Sequence, residues 1–123
     1  MIKILLLLRK KAGTTREQFI DYYENHHVPL IMKLTGEYMA EYKRNFICWD
    51  DPLSAMSAAY YVDPDGQPSF DVATEIWCRN RETMMAMFAK AQEPEIARII
   101  AEDEENCFDR PASRMMIVEE QPS

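Results

Sequence analysis

Two adjacent histidines, His26 and His27, are the only imidazoles in a chain of 123 residues. An imidazole titrates near neutrality, so either ring can take and return a proton at working pH. His27 is the first candidate for a general base. A structural reading competes with it, in which the ring bonds a backbone carbonyl where Pro29 disturbs a helix. His26 lies one residue earlier, about 100° round a helix, so the two rings should face different surroundings and make a poor metal pair.

Glu75 is the second candidate. It shares with Ala73 and Trp77 one face of the segment Phe70 to Cys78, where apolar and mixed residues alternate with period two. If that face lines an apolar cavity, the carboxyl should be raised and able to act as a general acid or base. The plainer alternative pairs Glu75 with Arg44, Lys43 or Arg9 on a neighbouring strand. Asp71, at the start of the segment, suits a turn or cap. Tyr22, Tyr23, Tyr42, Tyr60 and Tyr61 are either core rings or phenols that orient a substrate carbonyl, Tyr23 foremost as a partner for His27. His26, Arg44 and Trp77 complete the substrate-binding candidates, and Arg44 and Asn45 also suit an anion, a carbonyl oxygen or plain solvent.

Other chemistries find no support in the spacing. There is no Gly-rich phosphate loop, no nucleophile elbow and no carboxylate cluster at metal spacing, so no cofactor and no metal are expected. Cys48, Cys78 and Cys107 are odd in number and far apart, which speaks for reduced thiols rather than a disulfide framework or zinc site.

Positioning these side chains takes a short series of elements. Ile2 to Arg9 is an apolar run that predicts a strand buried on both faces. Thr15-Arg16-Glu17-Gln18 is a capping box, so a helix should start at about Arg16 and carry Phe19, Tyr22, Tyr23, a histidine and Leu30 on one face. Pro29 should kink or end it near the histidines. Tyr38 to Trp49 predicts a second strand, Asp50 to Pro68 a loop, with a short edge segment at Ala58 to Val62, and Phe70 to Cys78 the clearest strand.

Asn80 should cap a helix through Met84, Met85, Met87 and Phe88, and Pro94 a further helical turn with Ile96, Ile99 and Ile100. The acidic run from Glu102 to Glu105 opposes a helix dipole at that end, which predicts a solvated or partner-facing patch. Ser113 to Glu119 is the last strand. Nine methionines imply a soft, adaptable interior.

Strand, helix, strand, strand, helix, strand is the split βαβ order of a ferredoxin-like α+β fold, a four-stranded antiparallel sheet with both helices on one side. One domain covering 1–123 is expected from the length. Apolar residues on the uncovered side, Leu5, Leu7 and Trp77 among them, predict a second copy packed face to face. The formal charge of −7 disfavours nucleic acid and anionic membrane as partners. The N-terminal apolar run is far shorter than the roughly 20 residues that span a bilayer, so a cytoplasmic protein is expected.

Thr15-Arg16-Glu17-Gln18-Phe19, with Tyr22-Tyr23-Glu24-Asn25-His26-His27-Val28-Pro29-Leu30, resembles the first helix of EthD-domain proteins. Phe70 to Trp77 is similar to their third strand, and Asp103-Glu104 with Phe108-Asp109 to their acidic segment. Tyr23 stands where the family often has Trp, and His26 doubles the family histidine, which aligns with His27. The resemblance implies a dimeric α+β barrel, an architecture shared with cofactor-free monooxygenases, muconolactone isomerases and polyketide cyclases. The expected function is lyase, isomerase or cyclase proton transfer on a hydrophobic, aromatic or polycyclic small molecule, by His27 with Glu75 and Tyr23. The alternatives are a cofactor-free monooxygenase in the same cavity and a non-catalytic binding or accessory protein of a catabolic pathway.

Overall fold

The computed structural model describes residues 1–56 and 68–123. Four strands, β1 (Ile2–Leu8), β2 (Glu41–Phe46), β3 (Val72–Cys78) and β4 (Arg114–Val118), form one antiparallel sheet in the order β2-β3-β1-β4. The expected α+β order and four-stranded sheet are both present. The segment Ala58 to Val62, with Tyr60 and Tyr61, lies outside the described residues.

The helical layer begins with the capping box: the Thr15 side chain accepts from the Gln18 N–H, and the Gln18 side chain accepts from the Thr15 N–H. Helix α1 (Arg16–Tyr22) follows, and of the two outcomes expected at the histidines, a kink or an end, the end does not occur. The chain widens instead into one π-turn, Tyr23–His27, and continues as α2 (Val28–Thr35). Pro29 explains the widening: it has no N–H to give, and its ring would press on the carbonyl four residues back. Here the Val28 N–H bonds the Tyr23 carbonyl, five residues back, which shifts the bonding register by one residue.

Helix α3 (Pro52–Ala55) is a single turn capped by Asp51, inside a stretch expected to be loop. Helix α4 (Arg81–Ala91) is capped by Asn80, as its sequence requires. Helix α5 (Pro94–Cys107) is longer than expected, running through the whole acidic segment. Its inward stripe explains this. Ile96, Ile99, Ile100, Asp103 and Cys107 recur at three- and four-residue spacing, so the carboxylate of Asp103 continues an apolar face.

Antiparallel pairing sets opposite residues on one face. Ile4 faces Ile76, and Leu6 faces Thr74, on the helical side, whereas Leu5 faces Glu75 and Lys3 faces Trp77 on the other. Only Ile4 and Leu8 of β1 are fully buried, so this strand has one covered face rather than the two expected. The core is double. Leu8, Phe19, Tyr23, Val72, Cys107 and Phe108 pack at one end of the sheet, and Ile4, Ile76, Cys78, Met84 and Met87 at the other. Asp71 is buried at the edge, where its carboxylate accepts the Lys10 N–H at 2.8 Å, the turn-fastening role its position suggested.

Replacing Ile4 by Ala removes a side chain that is 1 % exposed and should cost about 2–5 kcal/mol. Leu53→Ala, at a residue 74 % exposed, should stay within about 0.5 kcal/mol. Urea midpoints at unchanged slope separate the two.

Candidate functional site

The π-turn turns Tyr23 and His27 inward between the helices and the sheet. Both are buried, their ring centroids 4.7 Å apart. The Nδ1–H of His27 donates to Oδ2 of Asp103 at 2.5 Å. The Tyr22 hydroxyl donates to the other oxygen of the same carboxylate at 2.9 Å, so a buried anion is met by donors on both sides. A neutral ring that gives its Nδ1 proton to a carboxylate keeps Nε2 as an acceptor. Nε2 has no partner among the described residues, and no fully buried side-chain nitrogen or oxygen among them is unpaired. It therefore reaches open space.

That space is a cavity of about 90 Å³ bounded by Tyr23, His27, Ile31, Tyr42, Thr74, Glu104 and Phe108, with Leu6, Leu8 and Ile76 as its floor. An apolar hollow of about 280 Å³ adjoins it, with Leu6, Ile31 and Ile76 common to both. Methionines Met39, Met87 and Met115 and the ring of Phe88 line the hollow, a pliable wall for an apolar guest. The two phenols at the cavity differ in their partners. Tyr23 shares a 2.7 Å hydrogen bond with the Thr74 hydroxyl, and burial pushes its phenol far up from the ordinary value. Burial likewise raises Tyr42, to about 12.

The remaining candidates lie elsewhere. Tyr22 points away to hold Asp103, and burial lifts it to about 12. His26 is exposed and stacks on Tyr22 with centroids 5.0 Å apart. Arg44 makes a two-pronged pair with Glu24, at 3.1 and 3.0 Å, and stands over the Tyr42 ring. It is engaged within the chain rather than open to an anion.

Glu75 and Trp77 require a correction. They sit on the uncovered face of the sheet, because Glu75 faces Leu5 while its neighbours Thr74 and Ile76 face the helices. The carboxylate bonds Lys3 and the Asn45 amide, and the Lys3 hydrogen bond holds it below the usual carboxylate range instead of raising it. Lys3 in turn covers the Trp77 ring at 4.8 Å. Neither side chain converges with His27, and the partner of Glu75 is Lys3 rather than Arg44, Lys43 or Arg9.

A larger hollow, about 680 Å³, is an open groove beside Trp77 lined by Met1, Arg79, Arg81 and Glu120 among others. It gathers charge from chain ends and helix starts but no acid–base pair, so size alone points away from the chemistry. All three cysteines are free thiols. Among the described residues, no group of three or more His, Cys, Asp or Glu side chains is placed to hold a metal ion.

Asp103, Thr74 and Glu104 escaped the sequence reading. The signal for Asp103 was present: it falls on the Ile96–Ile99–Ile100–Cys107 stripe, where a carboxylate must find a buried donor.

A four-stranded antiparallel sheet with one helical layer and a histidine–carboxylate pair between them defines a small α+β domain with an internal cleft. The EthD domain matches residues 11–111, and the chain belongs to that family. None of the curated proteins matches it. Among solved structures, an ethyl tert-butyl ether D (EthD) family protein from Bacillus halodurans is similar, with a TM-score of 0.60 at 20% identity over 98% of this chain and 100% of that one. An EthD-like protein from Ralstonia eutropha gives 0.62 at 19% identity over 96% and 89%. A protein from Arabidopsis thaliana gives 0.55 at 15% identity over 100% and 96%. At these identities the likeness is one of fold. No helix among the described residues is long and apolar enough to cross a membrane.

Burial of Tyr22, Tyr23 and Tyr42 has a titration consequence. A native phenol held above its unfolded value of about 10 favours the folded state at lower pH, and that advantage is lost as pH rises from about 10 toward 12. Absorbance at 295 nm should show these phenols ionising later in the native protein than in urea, with stability falling across the same window. Superimposable native and denatured titrations would contradict the burial described.

Proposed function

We propose that this protein is a cofactor-independent enzyme that moves a proton on a hydrophobic, aromatic small molecule, with His27 as its general base. The observation that carries the reading is the Asp103–His27 pair, whose free Nε2 opens toward an apolar cleft. The carboxylate fixes the ring tautomer and steadies the imidazolium that forms on proton uptake, as in other histidine–carboxylate pairs. Tyr23, or the neighbouring Tyr42, supplies a phenol to orient a substrate carbonyl. Raised phenols stay protonated at neutral pH and so remain donors. Isomerase, lyase or cyclase chemistry fits, since each starts by taking a proton next to a carbonyl. Direct reaction of the resulting carbanion with oxygen would be the monooxygenase variant.

The readout is hydrogen exchange at the α-carbon of an aromatic ketone, 1-indanone, in D₂O, followed by mass spectrometry. His27→Ala should lose about 10²-fold or more of the catalysed rate. Asp103→Asn, which spoils the tautomer but keeps the shape, should lower kcat with little change in KM. Tight ketone binding with no exchange in the unaltered chain would favour the non-catalytic binding protein instead.

We further propose that the uncovered sheet face, where Leu5, Leu7, Trp77 and Met116 stand together, packs against a second copy. Leu5→Lys should then halve the sedimentation mass while near-ultraviolet circular dichroism stays native. A monomer before substitution would refute the pairing.

A further inference from the structure

Next to Asp103 on α5 stands a second carboxylate that the histidine pair does not use. Glu104 borders the His27 cavity and is half-buried there. Its carboxylate accepts no hydrogen bond from any described residue, and its ion pair with Arg110 is long, 3.6 Å to Nε. A carboxylate so placed has few donors to reward its charge, which favours the protonated form. We propose that Glu104 is the general acid of this cavity, protonating the carbonyl oxygen of an enolisable aromatic ketone while His27 takes the α-proton. The assignment rests on the reading of His27 as the base.

The charges around it agree. Burial raises the Glu104 carboxyl, Asp103 and Glu105 on its own helix push the same way, and Arg110 beyond the helix end opposes them. From the π-turn His27 and Tyr23 face the same space, and from β2 Tyr42 does. A neutral ketone suits this setting better than a carboxylate-bearing one, which would stand against Glu104 with buried Asp103 behind it, in a chain of net charge −7.

Electrons and protons balance without a further reactant. The α-C–H bond breaks and its proton goes to His27 Nε2. The bonding pair becomes the C=C of an enol as the carbonyl π pair moves to oxygen, which takes the Glu104 proton. In the return half, the imidazolium proton is delivered to carbon and the enol O–H proton goes back to Glu104. Return to a different carbon of a conjugated system is an isomerisation, and in D₂O return to the same carbon, after the Nε2 proton has exchanged with solvent deuterium, is the exchange already described.

Wild type, His27→Ala, Glu104→Gln and Glu104→Asp are compared in that exchange with 1-indanone. Glu104→Gln should lose at least about tenfold, and Glu104→Asp should recover part of it. A readout independent of turnover is ¹³C NMR of labelled glutamate carboxyls: Glu104 should titrate above the exposed glutamates, and its signal should move when 1-indanone is added. If wild type and Glu104→Gln exchange equally and the Glu104 signal ignores the ketone, the acid assignment is overturned and the His27 reading stands. If wild type catalyses no exchange, the base reading fails and takes this assignment with it.

Discussion

A carboxylate cannot remain inside a protein unless donors meet it, and Asp103 is met from two directions. His27 and Tyr22 stand five residues apart in the chain, yet both reach the same group. They can do so only because the π-turn lies between them, and the π-turn follows from a proline that cannot donate. Removing one donor would leave a buried charge half-satisfied, a cost of about 1–3 kcal/mol. The junction of the first helix with α5 thus depends on a polar contact set inside an apolar layer.

Much of the architecture could be read from residue order. The capping box, the Asn80 cap and the alternation from Phe70 to Cys78 are local signals, and local signals survive in the folded chain because nothing nearby competes with them. What could not be read was depth. The run Ile2 to Arg9 looks buried on both sides because leucine tolerates a half-covered face, and composition cannot count layers. For Glu75 a cavity carboxylate and an ion pair both stayed open, because alternation puts it on one face of its strand without saying which face the helices and His27 cover.

The same limit hid Asp103. In the chain it is one letter of an acidic run, and Glu102 and Glu105 in that run are exposed as such runs usually are. Only the phase of the helix distinguishes it, and that phase becomes visible once α5 is known to continue to Cys107. Pro29 misled in the opposite sense. Its missing donor predicts a kink or an end, and the chain absorbed it by one wider turn and kept going.

The pairing of Lys3 with Glu75 carries a consequence for whatever touches the far side of the sheet. Lys3 stands between the carboxylates of Glu75 and Glu120, with the Asn45 amide on Glu75, and Glu41, Lys43 and Arg114 share this face with Leu5, Leu7, Trp77 and Met116. A surface covering this face would have to meet charge as well as hydrocarbon. It has to avoid stranding either ion, so lateral sliding that wedges a hydrocarbon between them is penalised while alignments that leave the pair closed are not. For such a surface the polar row would act as a positional key, on a face whose apolar residues alone would accept many alignments.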